Sequence, residues 1–495
     1  MLSHEAEAYN LKVIFLPFLS TSHMIPMVDM ARLFAMHGVD ITIITTTSNA
    51  EIFQKSIDRD FNQGLSIKTH VVEFPAKEVG LPVGIEAMNA NTSIDMADKI
   101  FKGFIMLQPQ IENYLFGEIE VDCIISDMFY VWTVDVAAKL GIPRIVFCPA
   151  SIFSRCTELS IEQHSSHTKV ESDCDKFTIV GLPDKLEMNR LQLPNWVKKP
   201  DVPFGEMIKV VNNTTRKSYG AVFNSFYGLE GAYEEHYKNA FGTKCWSLGP
   251  VSLWANQDVS DKAERGDTNV EGDSSLFKWL NSKKENSVLY VSFGSMNKFP
   301  SSQLIEIAHA LEVSSVDFIW VVRKSNDKEG EGFMEEFEKR VKESNKGYLI
   351  WGWAPQLLIL ENKAIGGIVT HCGWNTVVES LNVGLPMVTW PLFAEQFFHE
   401  KLVVEVLKIG VSLGIREWKN WNEFDTKDIV KRDDIAKAIG LVMTNRKEVE
   451  EMRLRAKNLS DDGKKAILVG GSSHANLIQI IEELKSLKHQ RHYGN

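Results

Sequence analysis

Residues 367–390 read GIVTHCGWNTVVESLNVGLPMVTW, and their pattern indicates the fold class. Its apolar ends, 367–370 and 386–390, predict two buried strands. Between them, residues 376–382 have helical spacing and are entered through a turn that contains Gly373. Such a strand–helix–strand unit places its two strands in parallel, because a right-handed crossover packs the helix onto the sheet.

The same alternation continues on both sides of this unit. In the second half it predicts further strands at 287–293, 317–322 and 347–351, and helices at 303–313, 334–343 and 395–407. In the first half it predicts strands at 11–16, 40–45, 66–74, 121–126 and 143–147, and helices at 24–36, 97–115 and 133–140. The sequence therefore predicts an α/β protein with two doubly wound, Rossmann-like domains.

One stretch interrupts the alternation. Residues 251–275 are charged and rich in Gly, Ser and Asp, which is typical of an interdomain linker. We therefore predict an N-terminal domain over 1–250, a linker over 251–275, a C-terminal domain over 276–470 and a last helix over 471–495 that packs back on the first domain. Ligands of open α/β sheets bind beyond the carboxyl ends of the strands, so we expect the two domains to face a cleft.

Composition excludes several classes of function. The 495 residues include 54 Lys plus Arg and 65 Asp plus Glu, so the net charge is −11. This acidic balance argues against a nucleic-acid partner. Six scattered cysteines form no CxxC pair, which argues against a zinc or redox site and favours a reducing compartment. With no basic signal sequence and no apolar run of about 20 residues, we expect a cytoplasmic protein without a membrane span.

The turn after residue 370 is a candidate phosphate site. A helix N-terminus presents free N–H groups and the positive end of the helix dipole. Gly373 lets the backbone approach a ligand closely, and His371, Asn375 and Thr376 can add side-chain donors. The same residues have ordinary interpretations, as a structural histidine at a strand end and an Asn-Thr pair that caps a helix.

Neighbouring residues suit the rest of a nucleotide sugar. Trp353 can stack on a base, and Glu379 can accept hydrogen bonds from ribose hydroxyls. Glu395 and Gln396 offer an acceptor and a donor for sugar hydroxyls. A tryptophan in this setting is usually a core residue, however, and such a Glu-Gln pair is ordinarily a solvated first helical turn. Neither half contains G-x-G-x-x-G or G-x-x-x-x-G-K-[ST], so no nicotinamide or P-loop site is predicted.

His23 and Asp127 in the first half are a candidate catalytic pair. Each follows a predicted strand at its carboxyl end. Pro26 suits the first turn of a helix, which places His23 at a helix N-terminus whose dipole favours the neutral ring. Asp127 can then fix the tautomer of His23 if the strand order brings them together. A turn histidine and a helix-capping aspartate remain the alternative.

Residues 353–396 resemble the 44-residue signature box of plant uridine-diphosphate (UDP)-sugar-dependent glycosyltransferases. That box runs from Trp to Gln around an HCGWNS core, and here the core is HCGWNT, with Thr376 in place of Ser. Three further stretches resemble the members that glycosylate triterpenoid sapogenins of the soyasaponin type. They are FLPFLSTSHMIPMVDMARLFA, FNSFYGLEGAYEEHYK and LFAEQFFHEKLVVEVLKIGV.

The resemblance implies a GT-B type fold and a role for each box residue. The uracil and ribose end of the donor is bound by Trp353, the Ala354 backbone, Gln356 and Glu379. The diphosphate is bound by Ser295, His371, the Trp374 backbone, Asn375 and Thr376. The sugar hydroxyls are bound by Glu395 and Gln396.

The resemblance also implies an inverting transfer of sugar from a UDP-sugar to a hydroxyl or carboxyl of a triterpenoid sapogenin or saponin. His23 is the general base and Asp127 its partner. No metal or cofactor takes part, since the UDP-sugar is a co-substrate, and we expect a monomer. A non-catalytic sugar-nucleotide binder, or an epimerase or phosphorylase of the same architecture, are the competing functions.

For the donor sugar and for the acceptor, the resemblance leaves several alternatives. Gln396 at the end of the box goes with glucose in the family, while galactose, xylose and glucuronic acid remain alternatives. Arg32 can contact a glucuronic acid carboxylate or form a surface ion pair. Acceptor contacts are expected from 75–91, 148–165 and 182–206, with the apolar side chains Met88, Ile152, Phe153, Leu191, Leu193 and Trp196. Cys148-Pro149 stands where many relatives have His-Gly, so a flavonoid or another apolar plant metabolite stays open as acceptor.

Overall fold

The computed structural model describes residues 10–117, 120–266, 274–323, 328–421, 423 and 429–493. These residues fall into two units. Unit 1 contains the described residues within 1–156, 199–266 and 463–495, and unit 2 contains those within 157–198 and 267–462. The boundary at 266/267 lies inside the predicted linker, but residues 157–198 belong to unit 2 and not, as predicted, with the first domain.

The first part of the predicted linker is a folded part of unit 1. Two helices, Val251–Ala255 and Val259–Glu264, occupy it. Val251 and Trp254 are buried in the same apolar core as the helix Thr21–Met36. The linker prediction was wrong here because the charges of this stretch are paired inside the protein, as where Asp261 accepts from Arg32, and are not solvated. Residues 267–273 of the predicted linker lie outside the described residues.

The strands are short and mostly buried. In chain order they are β1 Lys12–Leu16, β2 Asp40–Thr46, β3 Ile67–Val72, β4 Cys123–Asp127, β5 Arg144–Cys148, β6 Phe177–Ile179, β7 Leu186–Met188, β8 Gly220–Phe223, β9 Lys244–Ser247, β10 Val288–Ser292, β11 Asp317–Val322, β12 Gly347–Trp351, β13 Ile365–Thr370, β14 Met387–Thr389 and β15 Gly410–Ser412.

The helices of unit 1 are Thr21–Met36, Thr47–Ala50, Gln54–Asn62, Ala76–Val79, Ile94–Met106, Gln108–Leu115, Thr133–Leu140, Pro203–Lys217, Tyr227–Phe241, Val251–Ala255, Val259–Glu264 and Ser472–Tyr493. Those of unit 2 are Asn195–Lys198, Ser274–Asn281, Ser301–Val313, Lys328–Ser344, Gln356–Leu360, Trp374–Asn382, Gln396–Lys401 and Arg432–Met443. Two more, Ile152–His164 and Lys447–Ala466, include residues of both units. Short 3₁₀ turns occupy Ser166–Lys169 and Arg190–Gln192, and a π turn occupies Leu402–Val406.

Unit 1 is built on a parallel sheet with the strand order β3-β2-β1-β4-β5-β8-β9. Alternate residues of β1 enter different cores, because successive side chains of a strand point to opposite faces. Val13 and Phe15 pack in one apolar cluster, to which the C-terminal helix Ser472–Tyr493 contributes Leu477 and Ile480. Ile14 and Leu16 pack in the other.

Unit 2 is built on a second parallel sheet, in the order β12-β11-β10-β13-β14-β15. One of its faces packs against Ser301–Val313, Lys328–Ser344 and Arg432–Met443. Strands β6 and β7 pair antiparallel and form a separate two-stranded sheet.

Both sheets have a topological switch point, where chain connections leave in opposite directions from neighbouring strands. In unit 1 it lies between β1 and β4, and in unit 2 between β10 and β13. Doubly wound sheets bind ligands beyond the carboxyl ends of the strands at such points. The topology confirms two Rossmann-like α/β domains. Within the described residues, no helix combines the length and the apolar character that crossing a bilayer requires.

Candidate functional site

His23 and Asp127 meet at the switch point of unit 1. The chain leaves β1 at Leu16 and enters the helix Thr21–Met36, whose third residue is His23, while Asp127 is the last residue of β4. Nδ1 of His23 lies 2.8 Å from Oδ2 of Asp127. The Asp127 side chain is completely buried, whereas that of His23 is 18% exposed. The ring is thus held from inside the protein and reachable from outside.

Both carboxylate oxygens of Asp127 are engaged. Oδ2 contacts His23, and Oδ1 accepts a hydrogen bond from the backbone N–H of Phe129 at 3.0 Å. A carboxylate fixed in this way can accept a hydrogen bond from the Nδ1–H of the imidazole, which leaves the Nε2 lone pair of the neutral ring available. The geometry therefore suits proton abstraction by Nε2.

The helix that carries His23 begins earlier than predicted. It starts at Thr21 and not at residue 24, so Pro26 is its sixth residue and lies inside it. Pro26 cannot donate to the carbonyl of Ser22, because proline has no N–H. Pro26 is therefore not the first-turn residue that was predicted, although His23 itself lies in the first turn.

Aromatic side chains around His23 were missed by the sequence analysis. Phe129 stacks on the imidazole with centroids 5.7 Å apart, and Phe18 lies 5.3 Å from it. Phe101 and Phe204 extend the cluster from Phe18 and Phe129 respectively. Phe18 and Phe129 could have been suspected, since they stand five residues before His23 and two after Asp127, but Phe101 and Phe204 carry no such signal.

Several predicted acceptor residues are not accessible. Ile152, Phe153 and Leu193 are fully buried, so they are core residues and do not line an open surface. Their apolar character is explained by packing alone. Met88, in contrast, is half-buried, and its backbone N–H donates to the carbonyl of Leu19 just before the His23 helix. Leu191 and Trp196 are half-buried residues of unit 2.

Arg32 adopts neither of the two roles considered for it. It is almost completely buried and makes a bidentate pair with Asp60, at 2.6 and 3.0 Å. It also donates to Asn256 and Asp261. Burial opposes its charge, but the hydrogen bond and charge of Asp60, with Asp29 and Asp261, raise the pKa of Arg32 above its usual value. This network joins three helices of unit 1 and is structural.

His371 occupies the switch point of unit 2. It follows β13, and the helix Trp374–Asn382 begins three residues later, with Gly373 as its N-cap. The imidazole lies between two glycines: a Cβ on Gly294 would lie 2.6 Å from the ring, and one on Gly373 only 2.4 Å from Nε2. The absence of those two side chains thus brings the turn after β10, which contains Ser295, against the turn after β13.

The chemistry of His371 differs from that of His23. Burial lowers the pKa of His371 to about 4, so the ring is neutral at physiological pH. Its Nδ1 is buried and has no hydrogen-bond partner among the described residues. A neutral imidazole beside a helix N-terminus can donate a hydrogen bond to an anion without carrying a formal charge.

Residues predicted for the nucleoside end also come together. Nε2 of Gln356 donates to Oε2 of Glu379 at 2.6 Å. Oε1 of Gln356 accepts from the Tyr290 hydroxyl at 3.2 Å. Trp353 and Ala354 precede the short helix that begins at Gln356, with Trp353 half-buried and Ala354 buried.

The end of the signature stretch forms a tight turn. Oε1 of Gln396 accepts from the backbone N–H groups of Leu392 and Phe393 at 2.9 and 3.1 Å. The amide oxygen is therefore committed inside the protein, and only the NH₂ group of Gln396 is left to donate to a ligand. Glu395 is the N-cap residue of the helix Gln396–Lys401.

The first turn of the helix Trp374–Asn382 holds the remaining predicted phosphate contacts. The Trp374 ring packs against His399 with centroids 5.0 Å apart, so that side chain belongs to the core. Asn375 is half-buried and Thr376 is buried. Within the part of the chain that the structure describes, no group of three or more His, Cys, Asp or Glu side chains could hold a metal ion.

Comparison with known proteins identifies the family. Residues 11–420 match the model of the family described as UDP-glucoronosyl and UDP-glucosyl transferase. The chain is 61% identical to soyasapogenol B glucuronide galactosyltransferase of Glycine max, over 98% of this chain and 97% of the relative. It is 44% identical to UDP-glucosyl transferase 73DL1 of Saponaria officinalis, over 97% of each chain.

A solved structure supports the same assignment. The crystal structure of Glycyrrhiza uralensis UGT73P12, complexed with glycyrrhetinic acid 3-O-monoglucuronide, superposes with a TM-score of 0.93 at 57% identity, and the match covers 97% of each chain. The predictions of a GT-B fold, of a plant glycosyltransferase similar to those of triterpenoid saponins and of enzymatic activity are thus confirmed. The chain belongs to the UDP-glucoronosyl and UDP-glucosyl transferase family and is a UDP-glycosyltransferase.

Proposed function

We propose that this enzyme transfers a hexosyl group from a UDP-hexose to a triterpenoid glycoside, with inversion at the anomeric carbon. His23 is the general base and Asp127 its partner. The observation that carries this proposal is the 2.8 Å contact between His23 Nδ1 and the buried Asp127 carboxylate at the switch point of unit 1.

In the proposed reaction, Nε2 of His23 removes the proton of an acceptor hydroxyl. The oxygen forms a bond to the anomeric carbon from the face opposite UDP, and the bond from that carbon to the diphosphate oxygen breaks. Asp127 stabilises the imidazolium that results, as an aspartate does in other His–Asp pairs. An α-linked donor then gives a β-linked product, and UDP leaves with the electron pair.

The departing diphosphate is stabilised by local hydrogen-bond donors. The net charge of −11 gives no attractive overall field for an anion. The N-terminus of the helix Trp374–Asn382, the neutral His371 ring and the hydroxyls of Ser295 and Thr376 are the groups we assign to this role. Donors that are fixed in place before the reaction stabilise developing charge without reorganisation.

A large apolar acceptor is supported by the aromatic surroundings of the base. Phe18 and Phe129 lie directly beside His23, and Phe204 is partly exposed at the edge of the cluster. The names of two relatives add the chemical class, since one names a glucuronide of soyasapogenol B and the other a 3-O-monoglucuronide of glycyrrhetinic acid. We therefore propose a triterpenoid monoglucuronide as acceptor, with a free sapogenin or a flavonoid as alternatives.

Two observations favour different donor sugars. Gln396 favours glucose, because that residue goes with glucose in the family. The 61% identical relative is named a galactosyltransferase, which favours galactose. We propose glucose as the first candidate and galactose as the second, with xylose and glucuronic acid as further alternatives.

The decisive experiment is a donor and acceptor matrix. The enzyme is incubated with UDP-glucose, UDP-galactose, UDP-xylose or UDP-glucuronic acid, and with a triterpenoid monoglucuronide, its free sapogenin or a flavonol. Released UDP and product mass are measured, and the anomeric configuration is read from the proton spectrum of the product.

A β-linked hexoside of the monoglucuronide supports the proposal, and the preferred donor settles the sugar. Conversion of a UDP-sugar without any acceptor would point to an epimerase instead. Binding of UDP-sugars with no UDP release from any acceptor would point to a non-catalytic binder.

A further inference from the structure

We infer that Trp418 is a positioning residue that sets how the enzyme recognises the sugar of its donor. It acts through residues 391–396, here called the sugar turn, which contain Glu395 and Gln396. The inference rests on the proposed function, since it assumes that these two residues contact the donor sugar. Trp418 lies outside the signature stretch, 22 residues after Gln396.

The sugar turn is held from two sides. From inside, the amide oxygen of Gln396 accepts two backbone N–H groups of the turn. From outside, the indole N–H of Trp418 donates to the carbonyl of Ala394 at 2.8 Å, and the backbone N–H of Lys419 donates to the carbonyl of Leu392 at 3.1 Å. Residues 418 and 419 therefore hold the carbonyls while Gln396 holds the amides.

The backbone of this turn needs such support. Ala394 has a φ of +50°, a left-handed conformation that is unfavourable for a residue with a Cβ. A strained residue persists only where its surroundings hold it in place. Since Ala394 directly precedes Glu395, its conformation sets the direction in which both sugar-binding side chains point.

Trp418 is itself fixed by another segment of unit 2. Its backbone N–H donates to the carbonyl of Leu191 at 2.8 Å. Its ring meets Trp196 edge-on with centroids 5.7 Å apart, and the Lys198 ammonium lies 5.9 Å from the ring centroid. The tryptophan is 5% exposed, so few other orientations are open to it. Residues 191–198 therefore hold Trp418 in place, and Trp418 in turn holds the sugar turn.

A direct test measures the contribution of the sugar to donor affinity separately from that of the nucleotide. In Trp418→Phe a smaller aromatic ring replaces the indole, and the N–H donor to Ala394 is lost. The affinities of the full-length enzyme for UDP and for its preferred UDP-hexose are measured separately by calorimetry. We expect the UDP-hexose to bind about 5- to 10-fold more weakly, the order of one lost hydrogen bond, while UDP binds within twofold of the wild type. The ratio of kcat/KM between UDP-glucose and UDP-galactose should move towards one.

A matched control exists in the same unit. Trp279 also donates its indole N–H to a backbone carbonyl, that of Asn345, at 3.3 Å, but it lies outside the signature stretch and the sugar turn. Trp279→Phe should leave both affinities and the donor ratio unchanged. Trp418→Tyr, whose hydroxyl can donate to Ala394, should recover part of the lost affinity and serves as the second variant if Trp418→Phe does not fold.

The outcomes distinguish failure of the positioning role of Trp418 from failure of the proposed function. Equal loss of UDP and UDP-hexose affinity in Trp418→Phe, or no loss of either, overturns the positioning role of Trp418 and leaves the proposed function intact. Failure of the wild type to bind any UDP-hexose overturns the proposed function itself.

Discussion

The two switch points of this protein use histidine in opposite ways. In unit 1, His23 has a carboxylate 2.8 Å away and an exposed edge. In unit 2, His371 is buried between two glycines, has no partner at Nδ1 among the described residues, and has a pKa of about 4. The same side chain at the switch points of two similar sheets is therefore suited to accept a proton in one unit and to donate a hydrogen bond in the other. The surroundings of the ring, not the fold, determine its chemistry.

Removing the base of unit 1 should have the largest effect. We expect His23→Ala to lower kcat for a hydroxyl acceptor by about 10³-fold, within the range for loss of a general base, with UDP affinity unchanged. His37→Ala is the control, because His37 is the C-cap residue at the opposite end of the same helix, where its Nδ1 contacts the Leu33 carbonyl. Full activity of His23→Ala would remove His23 from the mechanism. A milder loss with a carboxyl acceptor would indicate ester formation, since a carboxylate is already ionised.

Removing the charge of Asp127, the partner of His23, should have the next largest effect on kcat. Asp127→Asn keeps an oxygen that can accept from Phe129 but removes the charge that stabilises the imidazolium. We expect kcat to fall about 10²-fold or more, with little change in acceptor KM, measured in the same assay. If kcat stayed within threefold of the wild type, Asp127 would be only a structural residue.

Adding a side chain next to the His371 ring of unit 2 should weaken donor binding. Gly294→Ala places a Cβ 2.6 Å from His371, at a backbone φ of +76°. We expect UDP affinity to fall about tenfold, because the ring must move to avoid the clash. Gly414→Ala is the matched control: its φ is +85°, so the backbone strain is similar, but nothing lies within 4 Å of the new Cβ. Equal effects of the two substitutions would contradict a special fit around His371.

The protonation state of His371 gives a sharper contrast with a smaller effect. We expect His371→Ala to weaken UDP binding about fivefold, through loss of a hydrogen bond. The factor should be the same at pH 6 and pH 8, because a pKa of about 4 keeps the ring neutral at both. A clearly larger factor at pH 6 would mean that the ring is charged and acts as a cation.

The smallest expected effect is on the pH dependence of stability, and it comes from two buried carboxyl groups. Burial raises the pKa of Glu230 in unit 1 and of Glu400 in unit 2 to about 7, although hydrogen bonds from Ser225 and Thr389 oppose the shift. Since the pKa of each is higher in the folded state, its contribution to stability is complete below about pH 4.5 and is lost as the pH rises through 7. Each shift corresponds to a loss of about 3 kcal/mol in the free energy of unfolding between low and high pH.

The variants Glu230→Gln and Glu400→Gln remove these titrations. Melting curves of wild type and variants at pH 5.5 and 8.5 should show that each variant gains stability relative to the wild type at the higher pH, by a few degrees. A difference that does not change with pH would show that these carboxyls do not titrate in that range.

Much of the fold could be predicted because its signals are local. The alternation of apolar strands with helices, as in 367–390, can be read directly from the order of the residues, and it indicated both doubly wound sheets. Helix boundaries were less predictable: the helix of His23 starts three residues early, and Pro109 divides the predicted helix 97–115 into Ile94–Met106 and Gln108–Leu115. These differences depend on capping and packing, which a pattern of apolar residues does not contain.

Pairings between distant residues could not be predicted from the residues alone. The charges near residue 260 indicated a solvated linker, yet Arg32 pairs with Asp261 in the interior of unit 1. A charged residue is usually exposed, and only the folded chain shows where its partner lies. The same holds for Trp418 and Leu191, which are far apart in sequence and joined by a backbone hydrogen bond.

The order of residues along the chain was enough to predict the fold class, the candidate residues at the carboxyl ends of the strands and, through the signature stretch, the family. These follow from short-range periodicity and from a pattern of adjacent residues. The folded chain was needed to show that His23 and Asp127 touch, that His371 is buried and neutral, that Arg32 is structural and that the Gln396 oxygen is committed inside the sugar turn. Each of these depends on strand order and burial, which arise when residues far apart in the chain are packed together and lose their contact with water.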